Sequence, residues 1–282
     1  MSHTQQGHVA IEHLQIRLGA GHQAFEAVQD VSIDVRPGEF VCLLGPSGCG
    51  KSTLLGALAG HLQPSAGQVR VDGEVVRGPH PERGLVFQHH TLFGWKHVID
   101  NIAFGLKMQG VPRAERRQRA LALLELVGLA GFEHKYPSQL SGGMQQRVEI
   151  ARVLINQPRV LLMDEPFGAL DAQTRLMMQE LLLELWERIG TTVLFVTHDI
   201  DEALFLADRI LVMSPRPGRI IEEIRLDFPR PRQIDLTTTA RFGELKRHIL
   251  TLLRHGDSLP AGEIPRLSPL GTRRRDDIRL AI

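Results

Sequence analysis

The chain has 282 residues, 43% of them hydrophobic, enough to bury a core in one large domain or two packed subdomains. Thirty-three basic residues stand against thirty-two acidic, so the formal charge of +1 offers no global field for nucleic acid or an anionic membrane surface. Two cysteines, Cys42 and Cys49, fit a reduced compartment; residues 1–8 hold no apolar leader, and the best apolar run, residues 121–129, falls short of the roughly 20 residues that cross a bilayer.

Through residues 9–35 apolar positions alternate, most clearly at Val31, Ile33 and Val35, before Pro37-Gly38 ends the pattern; this predicts strands of an antiparallel sheet. Phe25 is expected between the first two strands, with a ring face suited to a purine or to the core. Phe40-Val41-Cys42-Leu43-Leu44 reads as a buried strand, and Leu54, Leu55, Ala57, Leu58 and Ala59 as one side of a buried helix. Between them runs Gly45-Pro46-Ser47-Gly48-Cys49-Gly50-Lys51-Ser52-Thr53, the glycine-rich pattern that predicts a nucleotide phosphate. Its glycines let successive N–H groups point at an anion. Lys51 brings an ammonium to the β- and γ-phosphates, and the Ser52 hydroxyl is placed for Mg²⁺ at the positive end of the following helix.

Pro64 and Gly67 mark a turn, and residues 68–76 read as a hairpin around Asp72-Gly73. A short strand over 84–88 ends in Gln88, whose amide oxygen can coordinate a metal. From 98 to 140 the spacing becomes helical, with an amphipathic helix over 113–127 headed by Pro112 and closed by Gly128; Arg113, Arg116, Arg117 and Arg119 form its solvated face. Leu140-Ser141-Gly142-Gly143 heads a helix over 144–152, either as a second anion-binding terminus or as a plain N-cap. An apolar strand from Val160 ends in Asp164 and Glu165, at the carboxyl edge where parallel sheets bind ligands. Asp164 suits Mg²⁺ held through water, and Glu165 can take a proton from an attacking water. A helix over 172–188, a strand over 192–196 ending near His198, a helix over 201–207 and two strands within 209–226 around Pro215-Arg216-Pro217-Gly218 follow. A last helix is expected over 241–254, and the Arg-rich stretch from 267 is read as disordered.

Taken together, Phe25, the glycine-rich loop, Gln88, the Ser141 segment, Asp164-Glu165, Asp171 and His198 resemble, in that order, an ATP-binding-cassette ATPase over residues 1–228. The resemblance implies an α/β fold: a RecA-like parallel-sheet core, an N-terminal antiparallel β subdomain, an inserted helical subdomain at about 90–140, and a C-terminal extension over 229–282. It places an A-loop at Phe25, Walker A at 45–52, a Q-loop at Gln88, the signature at 140–144, Walker B with its glutamate at 160–165, a D-loop at 168–171 and an H-loop at His198. Implied catalytic residues are Glu165, His198, Lys51 and Gln88. ATP is expected on Phe25, on Gly45, Pro46, Ser47, Gly48, Cys49, Gly50, Lys51, Ser52 and Thr53, on Gln88, and on Ser141, Gly142, Gly143 and Asp171; Mg²⁺ falls to Ser52, Gln88 and Asp164. Phe25 replaces the usual Tyr, Met144 the signature Gln and Gly168 the D-loop Ser, and none of these removes a catalytic group.

Gly78-Pro79-His80-Pro81-Glu82-Arg83-Gly84, the stretch from Asp164 to Asp171, and Ser214-Pro215-Arg216-Pro217-Gly218-Arg219 look like the nitrate/sulfonate/taurine importer subgroup. That implies a head-to-tail homodimer on the cytoplasmic side of the inner membrane, docked on a permease that a periplasmic or lipid-anchored binding protein feeds, with no nucleic acid bound. A soluble cassette ATPase acting on nucleic acid or ribosomes shares the motifs, but neither a long heptad insertion nor a second P-loop is present. An importer ATPase for a different small solute is the other alternative.

Overall fold

A computed structural model describes residues 6–89 and 91–255. Alternation in the N-terminal segment produces β1 (Val9–Leu18) and β2 (Phe25–Val35), paired antiparallel with Val9 opposite Val35 and Leu18 opposite Phe25. Phe25 is therefore the first residue of β2 and not a connector, because the ladder runs on to the Leu18 pair. β3 (Phe40–Leu44) is buried throughout and leads into α1 (Lys51–Ala59). β4 (Ala66–Val71) and β5 (Glu74–Val75) form the hairpin, with Asp72 and Gly73 both at positive φ, 50° and 82°, as a two-residue turn of this twist requires. β4 also pairs with β1, closing a four-stranded sheet in the order β2-β1-β4-β5.

After β6 (Arg83–Val86) the chain leaves the sheet for α2 (Val98–Ile102), α3 (Phe104–Met108) and α4 (Arg113–Leu126). On α4 Ala120 and Leu124 are buried, Pro112 is the N-cap, and Arg119 pairs with Glu115 along the outer face. α5 (Gly142–Leu154) returns to β7 (Val160–Asp164), followed by α6 (Ala172–Ile189), β8 (Thr192–Thr197), α7 (Ile200–Leu206), β9 (Arg209–Met213), β10 (Ile220–Arg225) and α8 (Ala240–His255). α7 starts one residue before the predicted 201 because Asp199 caps it, its carboxylate accepting from the N–H groups of Asp201 (2.9 Å) and Glu202 (3.2 Å). Phe242, Leu245, Ile249 and Leu252 of α8 are buried in the same core as α7 and β9. The expectation for the stretch from 267 lies outside the described residues.

The larger sheet has the order β10-β9-β3-β8-β7-β6, parallel except at β10. Both its faces are covered: Phe40, Cys42 and Leu44 point into one apolar cluster, Val41 and Leu43 into the other. That explains why these strands read as unbroken apolar runs. Phe40 packs edge-on against Trp186 (5.6 Å between ring centres) and tilted against Phe195 (6.0 Å). Leu44 lies opposite Thr197, and Asp164 opposite Val196, so the ends of β3, β8 and β7 finish at one edge.

The two sheets are tied by a buried cation. Arg209 at the start of β9 donates to Glu39 Oε2 (3.1 Å), to Glu223 Oε2 (3.2 Å) and to the Asp34 carbonyl of β2. Glu39→Ala leaves that guanidinium buried without its main counter-charge and is expected to cost about 3–5 kcal/mol in urea unfolding. Glu39→Gln keeps the volume and an acceptor and loses only the charge, and should cost clearly less; a loss equal to that of Glu39→Ala would show that the charge alone, not the acceptor or the side-chain volume, holds the junction.

Candidate active site

Where β3 passes into α1 a cavity of about 300 Å³ opens at the carboxyl edge of the large sheet. The loop and α1 line it with Ser47, Gly48, Gly50, Lys51, Ser52 and Thr53; the antiparallel sheet contributes Leu18, Phe25 and Ala27. Gln88, Glu165 and Arg216 reach it from beyond the ends of β6, β7 and β9. Gly50 caps α1 at φ 106°, and a Cβ there would sit 2.6 Å from the Ala27 carbonyl oxygen, so only glycine fits both the conformation and the space. No side chain caps the helix, which leaves its first-turn N–H groups directed at an incoming anion.

Lys51 is buried, and its Nζ donates to the carbonyls of Gly45 (2.8 Å) and Pro46 (3.0 Å) while lying 3.7 Å from Glu165 Oε1. These two loop residues thus enter the geometry through their backbone and do not line the cavity. Cys49 points away from it: its thiol is buried, burial raises its pKa, and Cys42 is a free, buried thiol of the same inert kind.

Ser52 donates its hydroxyl proton to Asp164 Oδ1 (2.9 Å). Burial raises the Asp164 pKa, and the Ser52 bond opposes that shift. Glu165 follows at φ 44°, a left-handed conformation held by its N–H bond to the Val196 carbonyl (2.9 Å). Its carboxylate lies between two cationic or donor groups, with Lys51 on one oxygen and His198 Nδ1 2.9 Å from the other. The His198 turn is itself fixed from below: Thr197 donates its hydroxyl proton to buried Glu202, Gln179 of α6 donates to the other Glu202 oxygen (3.1 Å), and the Asp199 N–H donates to Thr197 Oγ1 (3.0 Å). Burial lifts the Glu202 pKa above the usual carboxylate range.

Ser141, Gly142, Gly143 and Asp171 do not line the cavity. Ser141 caps α5, accepting from the Met144 N–H (3.4 Å), and Asp171 caps α6, accepting from the Thr174 N–H (3.0 Å), which holds its pKa down. The two caps are neighbours: a Cβ on Gly143 would lie 2.5 Å from Thr174 Cγ2. Within one chain the expected site residues therefore fall into two groups.

Several residues of this neighbourhood carry no signal in the sequence. Glu149 is buried in α5 and accepts from the N–H and the hydroxyl of Thr91, while Arg152 donates to the Thr91 carbonyl (2.8 Å), tying the segment after Gln88 to the helix after Ser141. Glu202 sits in an ordinary helical pattern, and Arg216 stands out only as part of a loop motif. Nothing in their local spacing shows which distant groups they meet.

Residues 28–168 match the family described as ABC transporter. The taurine import ATP-binding protein TauB of Yersinia pestis bv. Antiqua is 53% identical over 211 residues, 75% of this chain and 83% of that protein. TauB of Rhizobium johnstonii is 48% identical over 255 residues, 88% of this chain and 97% of that protein. A dimeric ATP-binding cassette solved in a post-hydrolysis state with ADP and Pi superposes with a TM-score of 0.68 at 33% identity, covering 78% of this chain and all of that one. The family match spans both the phosphate loop and the carboxylate strand that the sheet brings to one edge, and the chain belongs to the ABC transporter family as an ATP-binding subunit that hydrolyses ATP.

Proposed function

We propose that the chain energises uptake of a small sulfonate of the taurine class through a separate permease. Its support is the 48–53% identity to TauB proteins, one of them covered over 97% of its length. The observation that carries the hydrolytic part is Glu165 held between Lys51 and His198 beside the phosphate loop.

In this reading the triphosphate lies on the N–H groups of the 45–53 loop, and Lys51 exchanges its carbonyl partners for the β- and γ-phosphates. Gln88 lines the cavity and contacts the reacting end. Glu165 accepts a proton from the attacking water, His198 keeps the carboxylate aimed, and Phe25 offers its face to the base. Ser52, Asp164 and Gln88 present a hydroxyl, a carboxylate and an amide oxygen, an all-oxygen donor set that suits Mg²⁺. Mg²⁺, when bound there, neutralises phosphate charge. Ser141, Gly142, Gly143 and Asp171 complete the site of a second copy arranged head to tail. In favour of that arrangement, the two helix caps pack on each other and away from the cavity, and the solved relative is dimeric.

Among the described residues no helix is long and apolar enough to cross a membrane. In this proposal, supported by the similarity to import ATP-binding proteins, the chain works from the cytoplasmic face, held there by the permease, with a solute-binding protein delivering cargo. The docking surface in this proposal is the aromatic segment after Gln88. Trp95 is 75% exposed, with its ring 5.5 Å from that of Phe93, and this exposure speaks against a core role.

Glu165→Gln is expected to bind ATP normally and to lower turnover by roughly 10²–10⁴-fold, the size of a lost positioned base; steady-state phosphate release within a few-fold of wild type would move the role elsewhere. Ser141→Arg should leave nucleotide affinity of the monomer unchanged and abolish ATP-dependent dimerisation in sedimentation. Trp95→Ala should change stability by less than about 0.5 kcal/mol, yet weaken assembly with the permease by about 2 kcal/mol. Unimpaired co-purification of that variant with the permease would remove Trp95 from the docking surface.

A further inference from the structure

The connection between β9 and β10, residues 214–219, is anchored to the phosphate loop and to β2. The Gly218 N–H donates to the Ala27 carbonyl (3.0 Å), the Gln29 N–H donates to the Gly218 carbonyl (3.0 Å), and the Arg219 N–H donates to Ser214 Oγ (3.1 Å). A Cβ on Gly218 would lie 2.1 Å from the Cys49 carbonyl oxygen, so the two loops approach this closely only because glycine stands there.

From this anchored loop Arg216 extends into the cavity. Its guanidinium carbon lies 4.5 Å from the centre of the Phe25 ring, over the face, and Nη2 lies 3.4 Å from the Gly48 carbonyl oxygen. The guanidinium thus bridges an exposed aromatic ring and the phosphate loop, the interval that the ribose and first phosphate of a nucleotide would span. A purine stacked on that face requires a ring-to-ring distance of about 4.5–7 Å, the space the guanidinium takes. Among the described residues Arg216 makes no ion pair with a carboxylate; exposed at the cavity, its guanidinium meets only the Phe25 ring and the Gly48 carbonyl among the contacts described.

We propose that Arg216 is a nucleotide-binding residue with two successive partners: it covers Phe25, and when a nucleoside di- or triphosphate enters it yields that face to the base and turns its charge to the α- and β-phosphates. This rests on the nucleotide-site reading above. Arg216 then opposes binding of a base without phosphates and favours binding of one with them, because cation–π stacking is weaker than a charge-assisted bond to phosphate. The loop acts as a discriminator for phosphorylated ligands.

The test is competition against a fluorescent ADP analogue on the purified chain, using adenosine, ADP and tripolyphosphate with wild type, Arg216→Ala and Arg216→Gln. Loss of the guanidinium should tighten adenosine by roughly two- to fivefold and weaken tripolyphosphate by roughly tenfold, with ADP weakened by a smaller factor. Arg216→Gln, which keeps a polar side chain, should show the same opposed shifts if the alanine variant does not fold. Shifts of one sign for adenosine and tripolyphosphate, or none, would make Arg216 a mere anchor of its loop and overturn the proposal while leaving the nucleotide site intact. A wild-type chain that bound no ADP would overturn the site reading and this proposal together.

Discussion

In-register parallel pairing of β3, β8 and β7 is the constraint on which the rest of the structure depends. Leu44 stands opposite Thr197 and Val196 opposite Asp164, so the phosphate loop, the His198 turn and the Glu165 turn all leave the sheet at one edge. A slip of one residue would send every side chain of a strand to the other face. Burial on both faces forbids that slip, since alternate residues of β3 already fill two separate apolar clusters. The core thus sets the alignment of the site without contributing a polar group to it.

At that edge the electrostatics are matched within a few ångströms. Lys51 is buried and satisfied by two carbonyls and by Glu165, whose other oxygen meets His198. The buried Lys51 charge would be costly alone and is kept by the carbonyls and by Glu165, while His198 meets Glu165 from a more exposed position. In the proposed function an anion on the loop meets uncapped N–H groups of α1, and Lys51 leaves the Gly45 and Pro46 carbonyls to meet it. Beneath His198, the contacts among Thr197, Glu202 and Gln179 hold the turn against α6 and α7, so the orientation of the imidazole is inherited from buried packing.

Two further links carry the site outward. The 214–219 loop joins β2 and the phosphate loop on one side. On the other, Glu149 and Arg152 bind Thr91, so the segment that runs from Gln88 to exposed Trp95 shares a hydrogen-bonded junction with the helix that Ser141 caps. Displacement of either the segment or the helix strains that junction, which ties the chain following Gln88 to α5.

Much of the local architecture was legible in the sequence because its causes are local. The phosphate loop is contiguous, and its glycines and lysine act through the backbone of their own turn. The hairpin at Asp72-Gly73 follows from the φ values those two residues tolerate, and the buried strands follow from their unbroken apolar runs. What tertiary structure alone decided are the relations between distant segments. Whether Trp95 is core or surface depends on how the helical insertion folds over, and a periodic pattern does not state that. The start of α7 moved to Ile200 because the Asp199 side chain caps it, and Phe25 became the head of β2 because Leu18 is its ladder partner. That Arg216 lies over Phe25, or that Glu202 holds Thr197, depends on loop closure across the whole chain, where the pairing is set by packing of the sheets and not by any spacing along the sequence.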